Sequence, residues 1–177
     1  NIGTVMKKIT TIVLSLMMLL FASSSFACDF TKLKINKSID DIRDEKSFFP
    51  NSSISEDEKY KIYQIPIEAF CQDKKYQSIM IDLYNYENKI YKIDYINVVS
   101  PKKKLVSLAK EKYKIAFEIP KQLLESEPIT LQIIKDKIYY YTFLHNEDGS
   151  TLELFEIIND ERNNKSREDL IKLEEEQ

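Results

Sequence analysis

Glycine is nearly absent from this chain. Gly3 and Gly149 are the only two in 177 residues. A phosphate-cradling loop needs several close backbone approaches that only glycine permits, so neither a G-x-G-x-x-G turn nor a Walker-type loop can be built. Histidine is scarcer still. His145 stands alone, at the end of a predicted strand beside a turn, where a surface histidine is the ordinary outcome. It leaves a nucleophile-plus-base site with almost nothing to work from. Zinc needs three or four ligands of Cys/His type, and two cysteines 43 residues apart with one histidine do not supply them. No D-x-D-x-D-G calcium loop is present. The expectation is therefore no catalytic set, no metal and no cofactor. Basic excess is lacking too: 26 Lys+Arg against 29 Asp+Glu leave a formal charge of −3. A nucleic-acid partner is not expected of an acidic chain, because phosphate neutralisation needs a basic face. The compact basic cluster Lys102-Lys103-Lys104 reads as a solvated helix start.

What is present begins with Met6 to Cys28, MKKITTIVLSLMMLLFASSSFAC. Two lysines, an apolar run from Ile12 to Ala22 broken only by Ser15, and an exit of small residues have the anatomy of a bacterial secretory signal peptide. The run is about half the roughly 20 residues of a bilayer-spanning helix, so no membrane span is expected after processing. Asn1 to Val5 precede Met6, the candidate initiator. Cleavage after Ala27 puts Ser25 and Ala27 at the positions that favour small residues, and the mature chain then starts at Cys28. Losing Lys7 and Lys8 with the signal moves the formal charge from −3 to −5.

A cysteine at the first mature position allows two readings. In one, Cys28 pairs with Cys71 in an oxidising compartment, closing a loop worth roughly 4 kcal/mol in the chain-entropy model. In the other, Cys28 is acylated and the product is a lipoprotein anchored to a membrane. The residues before it, Ser25-Phe26-Ala27, fit the lipoprotein pattern only at the alanine, which favours simple cleavage and a periplasmic or secreted protein.

Downstream of Cys28 the chain alternates between helix starts and strand patterns. Phe30 to Ile35 predicts a short strand, and Ser38 caps a short helix with Asp40 and Asp41 in its first turn. A polar loop, Asn51 to Lys59, contains the sequon Asn51-Ser52-Ser53. Period-two alternation predicts strands at Tyr60–Ile67, Ser78–Tyr84 and Ile90–Val99, the last with Tyr91, Ile93 and Tyr95 on one side and Lys92 and Asp94 on the other. Ser100-Pro101 starts a second helix burying Leu105, Leu108, Ala109 and Ile115. Lys121 to Glu125 adds a short turn, and three more strands follow at Ile129–Ile134, Ile138–His145 and Thr151–Ile158. Gly149 sits in the last turn, where positive φ is most useful. The domain layout is residues 1–27 removed, 28–160 an exported domain, and 161–177 a charged tail or short helix that Ser166 would cap.

Helix then three strands, twice over, is an α+β pattern: antiparallel sheet with helices on one face, with a tandem helix-plus-three-strand duplication as its extension. That order, with Ile35-Asn36-Lys37-Ser38 leading into the first helix, resembles the small periplasmic modules of the outer-membrane assembly lipoprotein and β-lactamase-inhibitor type. Such modules usually have glycine where this chain has Asn36. The resemblance implies the fold alone and no residues of function.

Two residue classes could carry function. Among the acids, Asp82 and Asp94 are placed as same-face neighbours across a hairpin, on a solvated face shared with Lys92. Glu153 and Glu156 are placed on opposite faces of one strand. Among the eleven tyrosines, Tyr84, Tyr86, Tyr139, Tyr140 and Tyr141 form the candidate interaction surface, since tyrosine is enriched in binding hot spots and three in succession cannot share one face. The functional expectation is a small exported, periplasmic, non-enzymatic module that binds a protein partner, of inhibitor or immunity type or an envelope accessory factor. The alternatives are a lipoprotein module acylated at Cys28 and a carboxylate-dependent hydrolase.

Overall fold

Strands whose apolar residues alternate with polar ones must stack those residues on one side of a sheet, and here six of them do so together. A computed structural model describes residues 28–31, 33–43, 59–98, 103–120, 128–146 and 148–175. In chain order the elements are α1 (Asp40–Arg43), β1 (Tyr60–Pro66), β2 (Ile79–Tyr86), β3 (Lys89–Asn97), α2 (Lys104–Leu108), β4 (Ile129–Ile134), β5 (Ile138–His145), β6 (Thr151–Ile158) and α3 (Asp160–Glu175). Short 3-10 turns at Ile67–Ala69 and Lys74–Tyr76 join β1 to β2, and a π-helical turn, Ala109–Tyr113, continues α2. All pairings are antiparallel and the order is β1-β2-β3-β6-β5-β4. Two three-stranded meanders thus lie side by side, joined at β3 and β6. The α+β architecture is as the sequence indicates; the duplication is not confirmed. The two inner hairpins differ, one turning through Glu87 and Asn88 with φ of 49° and 61°, the other through Gly149 with φ of 82°.

The register lines up the core. Ile65, Ile81, Tyr95, Phe155, Tyr141 and Leu131 sit opposite one another in turn across all six strands. Five of these six side chains are at most 1 % exposed. Tyr95 is central: its ring stacks on Phe155 at 5.8 Å, meets Phe30 edge-on at 6.0 Å and reaches Tyr113, with which it shares a hydroxyl hydrogen bond. Such aromatic pairs add about 1 kcal/mol each beyond the area they bury. Ile39 just ahead of α1, Ile42 of α1, and Leu105 and Leu108 of α2 cover this face. Ser38 caps α1 as expected, its Oγ accepting from Asp40 N–H at 3.2 Å. Asn36, at φ 68°, takes the left-handed conformation that asparagine tolerates and holds Ile90 by a 2.7 Å backbone bond.

The structure corrects three local expectations. Phe30 to Ile35 is not a strand: Leu33 N–H bonds Phe30 C=O at 3.1 Å, turning the segment so that Phe30, Leu33 and Ile35 all enter the core. Tyr91 does not share a face with Ile93 and Tyr95. Tyr84 pairs with Lys92 but Asn85 pairs with Ile90, so Tyr91 is the extra residue of a β-bulge and joins Tyr60 and Tyr86 in a separate cluster. Ser166 is not a cap. Helix α3 starts two turns earlier, at Asn159, whose Oδ1 accepts from Arg162 N–H at 3.1 Å; Ser166 is buried mid-helix and donates to Asn163 C=O. Residues 160–175 are helical because they dock: Tyr60 donates to Ser166 C=O, Tyr86 donates to Asp169, and Lys165 meets Glu87 at 3.2 Å. The signal segment, residues 51–58, the Ser100-Pro101 helix start and the 121–125 turn lie outside the described residues.

One buried acid ties the two meanders to the covering helix. Glu153 of β6 has no exposure, and its carboxylate accepts from Asn97 Nδ2 of β3 at 3.0 Å, from the Leu105 N–H of α2 at 2.8 Å and from the Tyr141 hydroxyl of β5 at 3.1 Å. Glu153→Ala strands three buried donors at once. An unmade buried hydrogen bond costs on the order of 1–3 kcal/mol, so the variant is expected to lose at least about 3 kcal/mol in urea unfolding. Glu153→Gln, which keeps one acceptor oxygen, is expected to lose markedly less.

Candidate functional site

The sheet face opposite the core carries an unusual line of side chains. Gln64, Asp82, Asp94, Glu156, Tyr140 and Gln132 sit on successive strands from one edge to the other. Asp82 and Asp94 are thus directly opposite across the β2–β3 hairpin, as the sequence placed them, and Glu156 follows Asp94 on β6. Lys92 supplies the counter-charge, 3.0 Å from Asp94 Oδ2 and 2.7 Å from Glu156 Oε1, with its ammonium 4.6 Å from the centre of the Tyr84 ring. Gln64 Nε2 donates to Asp82 at 3.0 Å, and Gln132 Nε2 donates to the Tyr140 hydroxyl at 2.7 Å.

This face is not simply solvated at its middle. Asp82 is 7 % exposed and Asp94 4 %, because each sits mid-sheet beneath its neighbours' side chains. Asp94 Oδ1 has no hydrogen-bond partner among the described residues. Burial dominates its titration: loss of hydration pushes the Asp94 carboxyl up to about 6 although Lys92 pulls the other way. Burial likewise raises Asp82, against the pull of Gln64 and Lys92. Lys92 is held above its ordinary value: burial lowers it, but the Asp94 and Glu156 charges and hydrogen bonds together outweigh that. Of these groups Asp94 takes up a proton in the mildly acidic range, while Lys92 stays an ammonium there.

The five predicted tyrosines do not make one surface. Tyr139 and Tyr141 face the core, Tyr141 fully buried and Tyr139 6 % exposed. Tyr140 points to the opposite face and is half-buried. Tyr86 is fully buried under α3, and Tyr84 is half-buried beside Tyr91. Cys28 and Cys71 are joined by the expected disulfide; Ala27 lies outside the described residues. His145 is exposed at the end of β5, its ring edge-on to Phe143 at 5.0 Å. Glu153 and Glu156 face opposite sides, as expected. No group of three or more His, Cys, Asp or Glu residues that could hold a metal occurs among the described residues.

The sequence pattern did not single out β4. It closes one end of the sheet, and its residues, Ile129-Thr-Leu-Gln-Ile-Ile134, include no charge and no proline. Thr130, Gln132 and Ile134 are exposed, Ile134 by 69 %. Edge strands are ordinarily blunted by lysine, proline or a bulge, because their free N–H and C=O groups invite another strand. The far edge, β1, does end in a proline, Pro66, and carries Lys61. The signal was in the letters, since a six-residue uncharged β-branched stretch is conspicuous in a chain that is 31 % charged; only the strand order shows that it is an edge.

No protein-family model, no curated protein and no solved structure matches this chain.

The raised carboxyl of Asp94 has a definite sign in stability. A carboxyl whose folded pKa lies above its unfolded value stabilises fully below the unfolded pKa, near 4, and that contribution is lost as pH rises through about 6. Asp94→Asn is therefore expected to unfold more easily relative to wild type at pH 4 than at pH 7.5. The difference between the two proteins should change by about 3 kcal/mol across that range. Chemical denaturation at several pH values reads it directly, and referencing each point to the variant cancels the exposed carboxylates whose shifts run the other way.

Proposed function

We propose that this protein is a small exported, disulfide-closed module that binds another protein by accepting an extended segment along the outer edge of β4. The observation that carries the reading is the uncharged, proline-free edge strand with Ile134 exposed. In that mode main-chain hydrogen bonds supply affinity, and side chains alternating along the added strand supply specificity. The signal anatomy of residues 6–27 and the Cys28–Cys71 disulfide support an oxidising compartment such as the periplasm. The disulfide also uses the Cys28 sulfur that a thioether lipid anchor would need, which weighs against the lipoprotein alternative. Among the described residues no helix is long and apolar enough to cross a membrane.

A second reading, a carboxylate-dependent hydrolase, draws on Asp82 and Asp94, two neighbouring acids that burial holds protonated to higher pH. Against it, Lys92 and Gln64 already engage both groups as a sheet-stabilising network.

Cross-linking in an envelope fraction, followed by identification of the residues joined, separates the two. The binding reading expects a protein partner linked through residues 129–134. Ile134→Lys, an exposed change expected to alter stability by no more than about 0.5 kcal/mol, should abolish the link. A partner linked elsewhere, or retained by the variant, contradicts the edge reading.

A further inference from the structure

On the core side the sheet and its cover leave a cavity of about 540 Å³ to which β4 contributes no lining residue, within the range of small-molecule sites. Its floor is apolar: Phe30 and Leu33 from the segment after the disulfide, Ile93 of β3 and Ile157 of β6. Its rim is cationic. Lys34 and Lys112 are exposed and Lys137 is half-buried, and no acid lines the cavity. The carboxylates adjoining the lining are engaged: Asp136 by Lys137 at 2.5 Å and the Tyr139 hydroxyl at 3.2 Å, and Asp29 by the Thr31 N–H at 3.0 Å. Lys34 and Lys112 make no ion pair with a described residue; Lys112 stands beside Glu111, but that carboxylate is engaged by Lys75 at 2.5 Å and the Tyr76 hydroxyl at 2.7 Å, which leaves a cationic excess at the opening. The Tyr113 and Tyr139 rings add flat apolar wall.

We propose that this cavity binds an amphipathic anion, a single apolar chain carrying one carboxylate or phosphate head. The chain would lie over Ile93 and Ile157 and the head would sit between Lys34 and Lys112. Two features of the site require both parts of that ligand. A purely apolar molecule leaves the lysine pair unanswered, and a small inorganic anion leaves the apolar floor wet. A cationic chain is repelled. No β4 residue lines the cavity, so the two readings succeed or fail separately.

The test is calorimetric titration of the oxidised protein, below the micelle threshold, with dodecanoate and dodecyl phosphate. Dodecyltrimethylammonium and inorganic phosphate serve as controls. Saturable one-to-one binding of both anionic chains is expected, with neither control binding. The double variant Lys34→Glu/Lys112→Glu should bind the anionic chains at least about tenfold more weakly, since both head-group charges are reversed. Both positions are exposed, and an unchanged thermal melt confirms that the variant is folded. Ile157→Val shortens the floor by one methyl and should weaken both chains without altering their preference over the cationic control. If one anionic head binds and the other does not, the ligand class narrows to that head. Equal binding of the cationic chain, binding unaffected by Lys34→Glu/Lys112→Glu, or no binding of either anionic chain overturns the proposal.

Discussion

The pairing of β3 with β6 is the constraint on which the rest depends. Each meander alone is a three-stranded sheet with one half-covered face, close to the minimum that holds together in water. Joining them at β3–β6 makes one sheet wide enough to line up six core-facing side chains, five of them buried, and brings Tyr95 against Phe155 at its centre. Glu153 and Asn97 then meet across the seam, and the same carboxylate takes the first N–H of α2. A carboxyl side chain in the core is tolerated because the donors from Asn97, Leu105 and Tyr141 come from elements that the seam brings together. Remove the seam and Glu153 has only Tyr141 of its own meander.

The same seam produces the polar line on the reverse face. Asp94 and Glu156 are side by side only because β3 and β6 are neighbours, and Lys92 serves both. One ammonium shared by two carboxylates, beside a third on β2, cannot keep every group charged cheaply. Asp94 is the group that yields, because it is the one most deeply buried among them. Fold and protonation are thus linked through one pair of strands.

Much of this was legible in the sequence. All six strands, the Ser38 cap, the Gly149 turn, the disulfide pairing and the juxtaposition of Asp82 with Asp94 follow from alternation, capping chemistry and the count of two cysteines. What was not legible depended on contacts between halves. The bulge at Tyr91 breaks a period-two pattern that looks unbroken in the letters. Helix α3 is too polar to predict from an apolar stripe, and it is held instead by hydroxyls of Tyr60 and Tyr86, far away in sequence. Glu153 looked like one acid among many, since its burial requires Asn97, Leu105 and Tyr141 to converge. The tyrosines misled for a related reason: in a chain without tryptophan they fill the core as well as the surface. That β4 is an edge among the described strands likewise depends on strand order, which no local pattern encodes.

Residue-resolved hydrogen exchange of the oxidised protein reads out whether one β3–β6 seam anchors the sheet and whether β4, an edge among the described strands, is free to pair. The account predicts the slowest amides in β3 and β6, exchanging only with global unfolding, and fast exchange at the β4 amides that point away from β5. Slow exchange along both sides of β4 would mean that the edge is already covered. Fast exchange at the amides bonded across the β3–β6 seam, with the other amides of each meander protected, would mean that the seam is not what holds the molecule together.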